Sequence, residues 1–220
     1  MLLPPALVAS TPPICAEPSE LIDQFGRDAV RFFLLREMPF GNDGDFSRRA
    51  LISRLNVELA NDLGNLAQRS LSMIARNCDG RLPPMPAPVA EADARLLDQA
   101  AALPRLLGEA IEAQAFHAAL EEAWRVIRAA NAYIDHQAPW ALRKTDVARM
   151  GGVLRVMAEV IRSVATVLQP FMPDSMGRLL DQLSVPPDAR DFAALSRPLA
   201  DGSLLPAPQG IFPRHVEDAA

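Results

Sequence analysis

Proline fixes φ and has no amide hydrogen to give a helix, so its placement decides where helices can run. The 20 prolines of this chain are clustered. Six lie in the first 40 residues, four in PPMPAP at 83–88, four between Pro170 and Pro187, and four beyond 197. Between the clusters, long proline-poor stretches carry apolar residues three and four apart, the period of an amphipathic helix. Val and Ile form no alternating runs and aromatics are only 5%, which argues against a sandwich or barrel. The expected fold is all-α: an antiparallel bundle of four to five helices, with a Pro-rich N-terminal segment and a C-terminal tail.

A first helix is predicted over 19–38, with Ser19 as N-cap, Gly26 weakening its middle and Pro39 ending it. Its adjacent Phe32 and Phe33 cannot point one way, so one of them is expected to face a partner surface. PFGNDGDFS at 39–47 reads as a turn-rich connector. The second and longest helix is 47–77, capped by Ser47, with Leu51, Leu55, Leu59, Leu63 and Leu66 in one stripe. PPMPAP is a stiff extended link to a helix over 90–111, interrupted by Pro104. Helices follow at 115–136, with Phe116, Leu120, Trp124, Ile127 and Ile134 inward, at 146–168, strongly apolar, and at 173–183. Beyond Val185 the pattern fades to a loose tail. The organisation expected is a Pro-rich segment (1–18), a linker helix and connector (19–46), the bundle (47–184) and the tail (185–220).

A net charge of −5 and a pI near 5.2 argue against a sequence-blind polyanion binder. Cys15 and Cys78 form no CxxC pair, which excludes a disulfide scaffold or zinc knuckle and suits a reducing cytoplasm. The opening MLLPPALVAS has no basic residue and is broken by paired prolines, so no signal peptide is expected. No run of 18 apolar residues offers a membrane span. His117, His136 and His215 are scattered, and neither a phosphate-binding nor a dinucleotide-binding glycine motif occurs. No catalytic residue and no metal site is expected.

Two features point to chemistry. Asn61, Asn65 and Arg69 recur every fourth residue, beside the Leu stripe of the second helix. Planar amides and a guanidinium can read the Watson–Crick edge of an unpaired base; the same residues are also an ordinary solvated helix face. From Arg48 to Arg81 there are six arginines against three acids, a basic segment in an acidic chain. Pro139 and Trp140 stand where the 115–136 helix has ended. There the indole is either a stacking platform for a base or a core residue folded over the bundle end. Trp124, among apolar neighbours, reads as core.

The strings FGRDAVRFFLLREMPFGNDGDFS, NVELANDLGNLAQRS, NAYIDHQAPWALRKTD, LQPFMP and LPAPQGIFPR stand in this order. Together they resemble the C-terminal half of bacterial methionyl-tRNA synthetase, over residues 19–214. The resemblance implies a helical domain that recognises the CAU anticodon of tRNA(Met). Asn61, Asn65 and Arg69 then match helix positions that contact the anticodon, and Pro139 with Trp140 matches the tryptophan that engages its first base. The family's HIGH-like motif and KMSKS loop are absent. The chain is therefore expected to hold neither ATP nor methionine and to make no aminoacyl-adenylate alone. It would act as an anticodon-binding module, or as a piece of a split ligase beside a separate catalytic chain. A bundle turned to protein interaction is a further alternative.

Overall fold

The computed structural model describes residues 17–37 and 46–216. Its helices are α1 (Pro18–Phe25), α2 (Arg27–Glu37), α3 (Arg48–Arg54), α4 (Asn65–Asn77), α5 (Glu91–Glu112), α6 (Phe116–Gln137), α7 (Pro139–Leu142), α8 (Val147–Leu168) and α9 (Pro173–Gln182). A π-helix, Leu55–Gly64, joins α3 to α4, and two 3-10 turns, Pro187–Ala189 and Ala193–Ser196, follow α9. Among the described residues the only β-type pairing is one isolated bridge, Arg81 to Leu204. The all-helical bundle expected from the proline pattern is what the chain forms. Cys15, most of the Pro-rich start and nearly all of the 39–47 connector lie outside the described residues.

The bundle is organised around α8, which packs against α4, α5, α6, α7 and α9. Seventeen of its 22 residues are buried, as its near-continuous apolar sequence requires. α5 and α6 form a hairpin through Ala113–Ala115, with Gln114 at a positive φ of 56°. Pro104 does not interrupt α5. Its flanking Leu103 and Leu107 are both fully buried. Burying such a pair contributes about 1.5–3 kcal/mol each, enough to offset the roughly 3 kcal/mol an internal proline costs.

The single helix predicted over 19–38 is two. Gly26 adopts φ 84°, ψ 149°, a conformation open to glycine, and its N–H closes α1 on Ile22. α1 begins at Pro18 behind Glu17, so Ser19 is not its cap. The break lets α2 turn onto the α8–α9 corner. Arg31 donates to the carbonyls of Pro170 (2.8 Å) and Phe171 (3.2 Å). Asp28 accepts from the Ser175 N–H at the start of α9 (2.6 Å). Phe32 and Phe33 are consequently both buried, at 0% and 1% exposure. Phe32 lies on Trp124 with ring centroids 4.7 Å apart, and Phe33 meets Phe46 edge-on at 5.8 Å. The phenylalanine expected to face a partner does not exist, because α2 is covered from two sides.

The long second helix keeps its predicted ends, with the Ser47 side chain accepting from Ala50 N–H. Its middle, however, is π-helical. Asn131 of α6 donates to the Asp62 carbonyl (3.1 Å) within that segment, satisfying backbone that the wider turn leaves open. Asn56 exchanges two bonds with the backbone of His215, at 2.8 and 2.9 Å. At Gly64 an added Cβ would stand 2.9 Å from the Leu59 carbonyl and 3.6 Å from Phe212, so the π turn and the tail both need that glycine.

The tail is not loose. Leu205 and Ile211 are buried, and Leu82 N–H donates to Ser203 and Gly202 N–H to Leu82, at 2.9 and 2.8 Å. Three charged residues buried on α8 hold its first part. Glu159 accepts from Arg155 (3.0 Å), Arg162 (2.9 Å) and Leu199 N–H (2.8 Å). Arg155 also donates to Asp201 (2.6 Å), Leu199 (2.5 Å) and Pro83 (3.1 Å). The link at 83–88 lies on α8, where Pro86 would come within 3.0 Å of a Cβ at Gly152.

Candidate nucleic-acid interface

α6 ends at Gln137, and Ala138 takes the left-handed conformation, φ 45° and ψ 58°. Such a conformation costs a non-glycine residue about 1–2 kcal/mol, and strain of this kind gathers at functional sites. It turns the chain sharply so that Pro139 opens α7, where a proline's missing N–H does no harm. Pro139 is buried and anchors the turn, while Trp140 beside it is 43% exposed. The buried-core alternative for Trp140 therefore fails, whereas Trp124 is fully buried.

The turn is held from behind by polar groups that the sequence reading did not single out. Arg149 of α8 binds both oxygens of the buried Asp93 carboxylate, at 2.5 and 2.7 Å, and donates to Gln137 Oε1 at 2.8 Å. Tyr133 of α6 donates to Asp93 at 2.7 Å. Burial alone would raise the Asp93 pKa, but hydrogen bonds from Arg149 and Tyr133 outweigh it and hold the group below its ordinary 3.8. The Tyr133 phenol is pushed up, by burial first and by the adjacent carboxylate second. A carboxylate with a depressed folded-state pKa stabilises fully above its unfolded value and loses that contribution as pH falls through the folded one. Asp93→Asn should therefore lower the urea midpoint at pH 7. The gap to wild type should narrow steadily below about pH 4. A gap that stays constant down to pH 2.5 would count against ionic anchoring of this turn.

Arg69 of α4 faces the indole, its guanidinium carbon 5.2 Å from the ring centroid, within cation–π range. It also pairs with Asp135 on α6 at 2.6 Å, which fixes its fork beside the ring. Around this pair opens a cleft of about 460 Å³ between α4 and α7, lined by Gln68, Arg69, Arg76, Asn77, Trp140 and Arg143 among others. The structure thus brings Arg69, Pro139 and Trp140 together. Asn65 is exposed one turn further along the helix and does not line the cleft. Asn61, exposed in the π-helix, accepts from Arg214 of the tail at 2.5 Å. The two ends of the Asn–Asn–Arg row are engaged by different elements.

The basic segment is less free than its arginine count suggests. Arg54 pairs with Glu37 (2.6 Å) and Glu58 (3.0 Å). Arg48 is taken up by Gln24 and the Phe25 ring, and Arg81 by the Gly202 carbonyl. Sequence reading missed Gln68, Ser72, Arg76, Asn77 and Arg143 as cleft residues. A signal for some existed: Ser72, Met73 and Arg76 stand three, four and seven after Arg69 and so share its face. The Asn61–Asn65–Arg69 row runs toward the N-terminus from Arg69, whereas the cleft opens toward the C-terminus. Among the described residues no cluster of His, Cys, Asp and Glu could hold a metal, and no helix is long and apolar enough to cross a membrane.

Comparison with known proteins gives two family matches. Residues 84–220 match the anticodon binding domain of methionyl tRNA ligase, and residues 10–71 match the class I tRNA synthetases of the methionyl type. The methionine–tRNA ligase of Brucella suis biovar 1 (strain 1330) is 54% identical over 202 residues, covering 91% of this chain and 39% of that protein. The apo crystal structure of Mycobacterium tuberculosis methionyl-tRNA synthetase superposes with a TM-score of 0.90 at 46% identity, over 93% of this chain and 42% of that one. Its methionyl-adenylate complex gives 0.88 at 48%, over 90% and 40%. The chain thus spans about 39% of the length of the curated relatives it matches.

Proposed function

The chain belongs to the family of anticodon-binding domains of methionyl-tRNA ligases, and from that premise we propose that it binds the CAU anticodon loop of tRNA(Met). One observation carries this reading: an exposed indole and a fixed guanidinium stand together at the mouth of an arginine-lined cleft. An unstacked base can lie on the indole, a contact worth about 1–3 kcal/mol. Arg69 offers planar donors beside it, and Asn65 an amide one turn away, in reach of a neighbouring base edge. Asn61 joins them if its bond to Arg214 exchanges for one to RNA. Pro139 acts by fixing where Trp140 stands. ATP and methionine are assigned to no residue of this chain, and activity in a cytoplasmic charging reaction would come from a catalytic domain outside it.

The test is a filter-binding titration of the full chain against a CAU anticodon stem-loop and a permuted-anticodon control. CAU is expected to bind at least about tenfold more tightly, with both affinities falling as salt rises. Equal affinities would overturn the reading.

A further inference from the structure

Most arginines of this chain are engaged in place, by a carboxylate or, as for Arg31, Arg81 and Arg214, by a neutral oxygen. Arg27, Arg36, Arg54, Arg69, Arg149, Arg155, Arg162 and Arg190 all have carboxylate partners. Among the described residues, the side chains of Arg49, Arg76, Arg143 and Arg197 take part in no ion pair and no hydrogen bond. Two of these four, Arg76 from α4 and Arg143 just after α7, line the Trp140 cleft; Arg49 and Arg197 do not. The residues lining that cleft include no Asp or Glu, and its third guanidinium, Arg69, is already matched by Asp135. In a chain of net charge −5, this cleft gathers two of the four unengaged arginines, on facing elements and with no acid among its lining residues.

We propose that Arg76 and Arg143 clamp a phosphodiester of the RNA strand, the one adjoining the nucleotide stacked on Trp140. The inference rests on the anticodon reading and adds to it the part that holds the backbone. A stacked base leaves its sugar-phosphate at the rim of the cleft, and a guanidinium fork matches two phosphate oxygens at once. Base stacking on the indole and anion binding by the arginines then divide the work. The clamp fixes where the strand runs, and carries no sequence information of its own.

Arg76→Gln and Arg143→Gln, both exposed and unpartnered, test it in the full chain with Arg49→Gln and Arg197→Gln as controls. Affinity is measured for the CAU and permuted stem-loops between 50 and about 300 mM salt. Each cleft variant should weaken both RNAs alike, by about three- to tenfold. The double variant should also flatten the log–log salt slope by about 0.7, the value for one single-strand phosphate contact, and each single variant by part of that. The controls should change neither. A neutral methylphosphonate placed at successive loop positions should, at one position, make Arg143→Gln silent. An unchanged slope in both cleft variants, an equal change in the controls, or a loss confined to CAU would overturn the clamp. If the wild type prefers no anticodon, the anticodon reading falls, and the slopes still decide the clamp.

Discussion

Glu159→Ala is expected to destabilise the chain by about 3–5 kcal/mol, measured as the urea unfolding free energy. Glu159 is buried in the middle of α8 and is the shared acceptor of Arg155 and Arg162, which are themselves almost fully buried. Removing it leaves Arg162 with long contacts to the Ala194 and Leu195 carbonyls, at 3.4 and 3.5 Å, and no carboxylate. Arg155 retains Asp201, whose side chain is largely exposed. An uncompensated buried guanidinium is the main cost, and the orphaned Leu199 N–H adds to it. The loss should be visible locally as well. Because Leu199 and Asp201 are tied to this cluster, amide exchange at 199–205 should accelerate more than at α5 or α6. A destabilisation below about 1 kcal/mol would mean that the cluster does not hold the tail.

Trp140→Ala should weaken CAU stem-loop binding by about 5- to 150-fold, the range of one lost base–aromatic stack. Stability should barely change, since the indole is half-exposed and Pro139, not Trp140, is the buried anchor of α7. Trp140→Phe retains a smaller π face and should recover part of the loss. The pair separates stacking from mere packing: a structural role would show as a shifted urea midpoint in Trp140→Ala, and no rescue of binding by Phe. Arg69→Ala removes a neighbour of the indole as well as a donor, so its effect should be less than additive with Trp140→Ala. Full additivity would indicate that the two residues act on the ligand independently.

The ends of α3, α6, α8 and α9 were legible because they depend on local chemistry: a Ser47 cap, a Pro139 or Pro170 stop, a proline in the first turn of α9. The break at Gly26 was visible only as a weakness. Whether a glycine bends a helix depends on what waits beyond it, and here the α8–α9 corner offers Arg31 and Asp28 their partners. Pro104 went the other way, kept helical by the burial of Leu103 and Leu107. The π-helix has no local mark in its sequence. It is supported by Asn131 from α6 and by the tail residues over Gly64, each far away along the chain.

The candidate site divides in the same manner. Arg69 and Trp140 were legible as residue types, one on a polar face and the other after a helix stop. That they meet was not, because 71 positions of chain separate them and only the packing of α4 beside α7 brings them within 5.2 Å. The sequence by itself determined that this chain is helical, where most of its helices stop, and which faces are apolar, since those follow from backbone restriction and residue spacing. Tertiary structure alone decided which arginines are free. Freedom of a charge depends on whether a distant carboxylate or carbonyl reaches it, and that is a property of the folded arrangement rather than of any stretch of sequence.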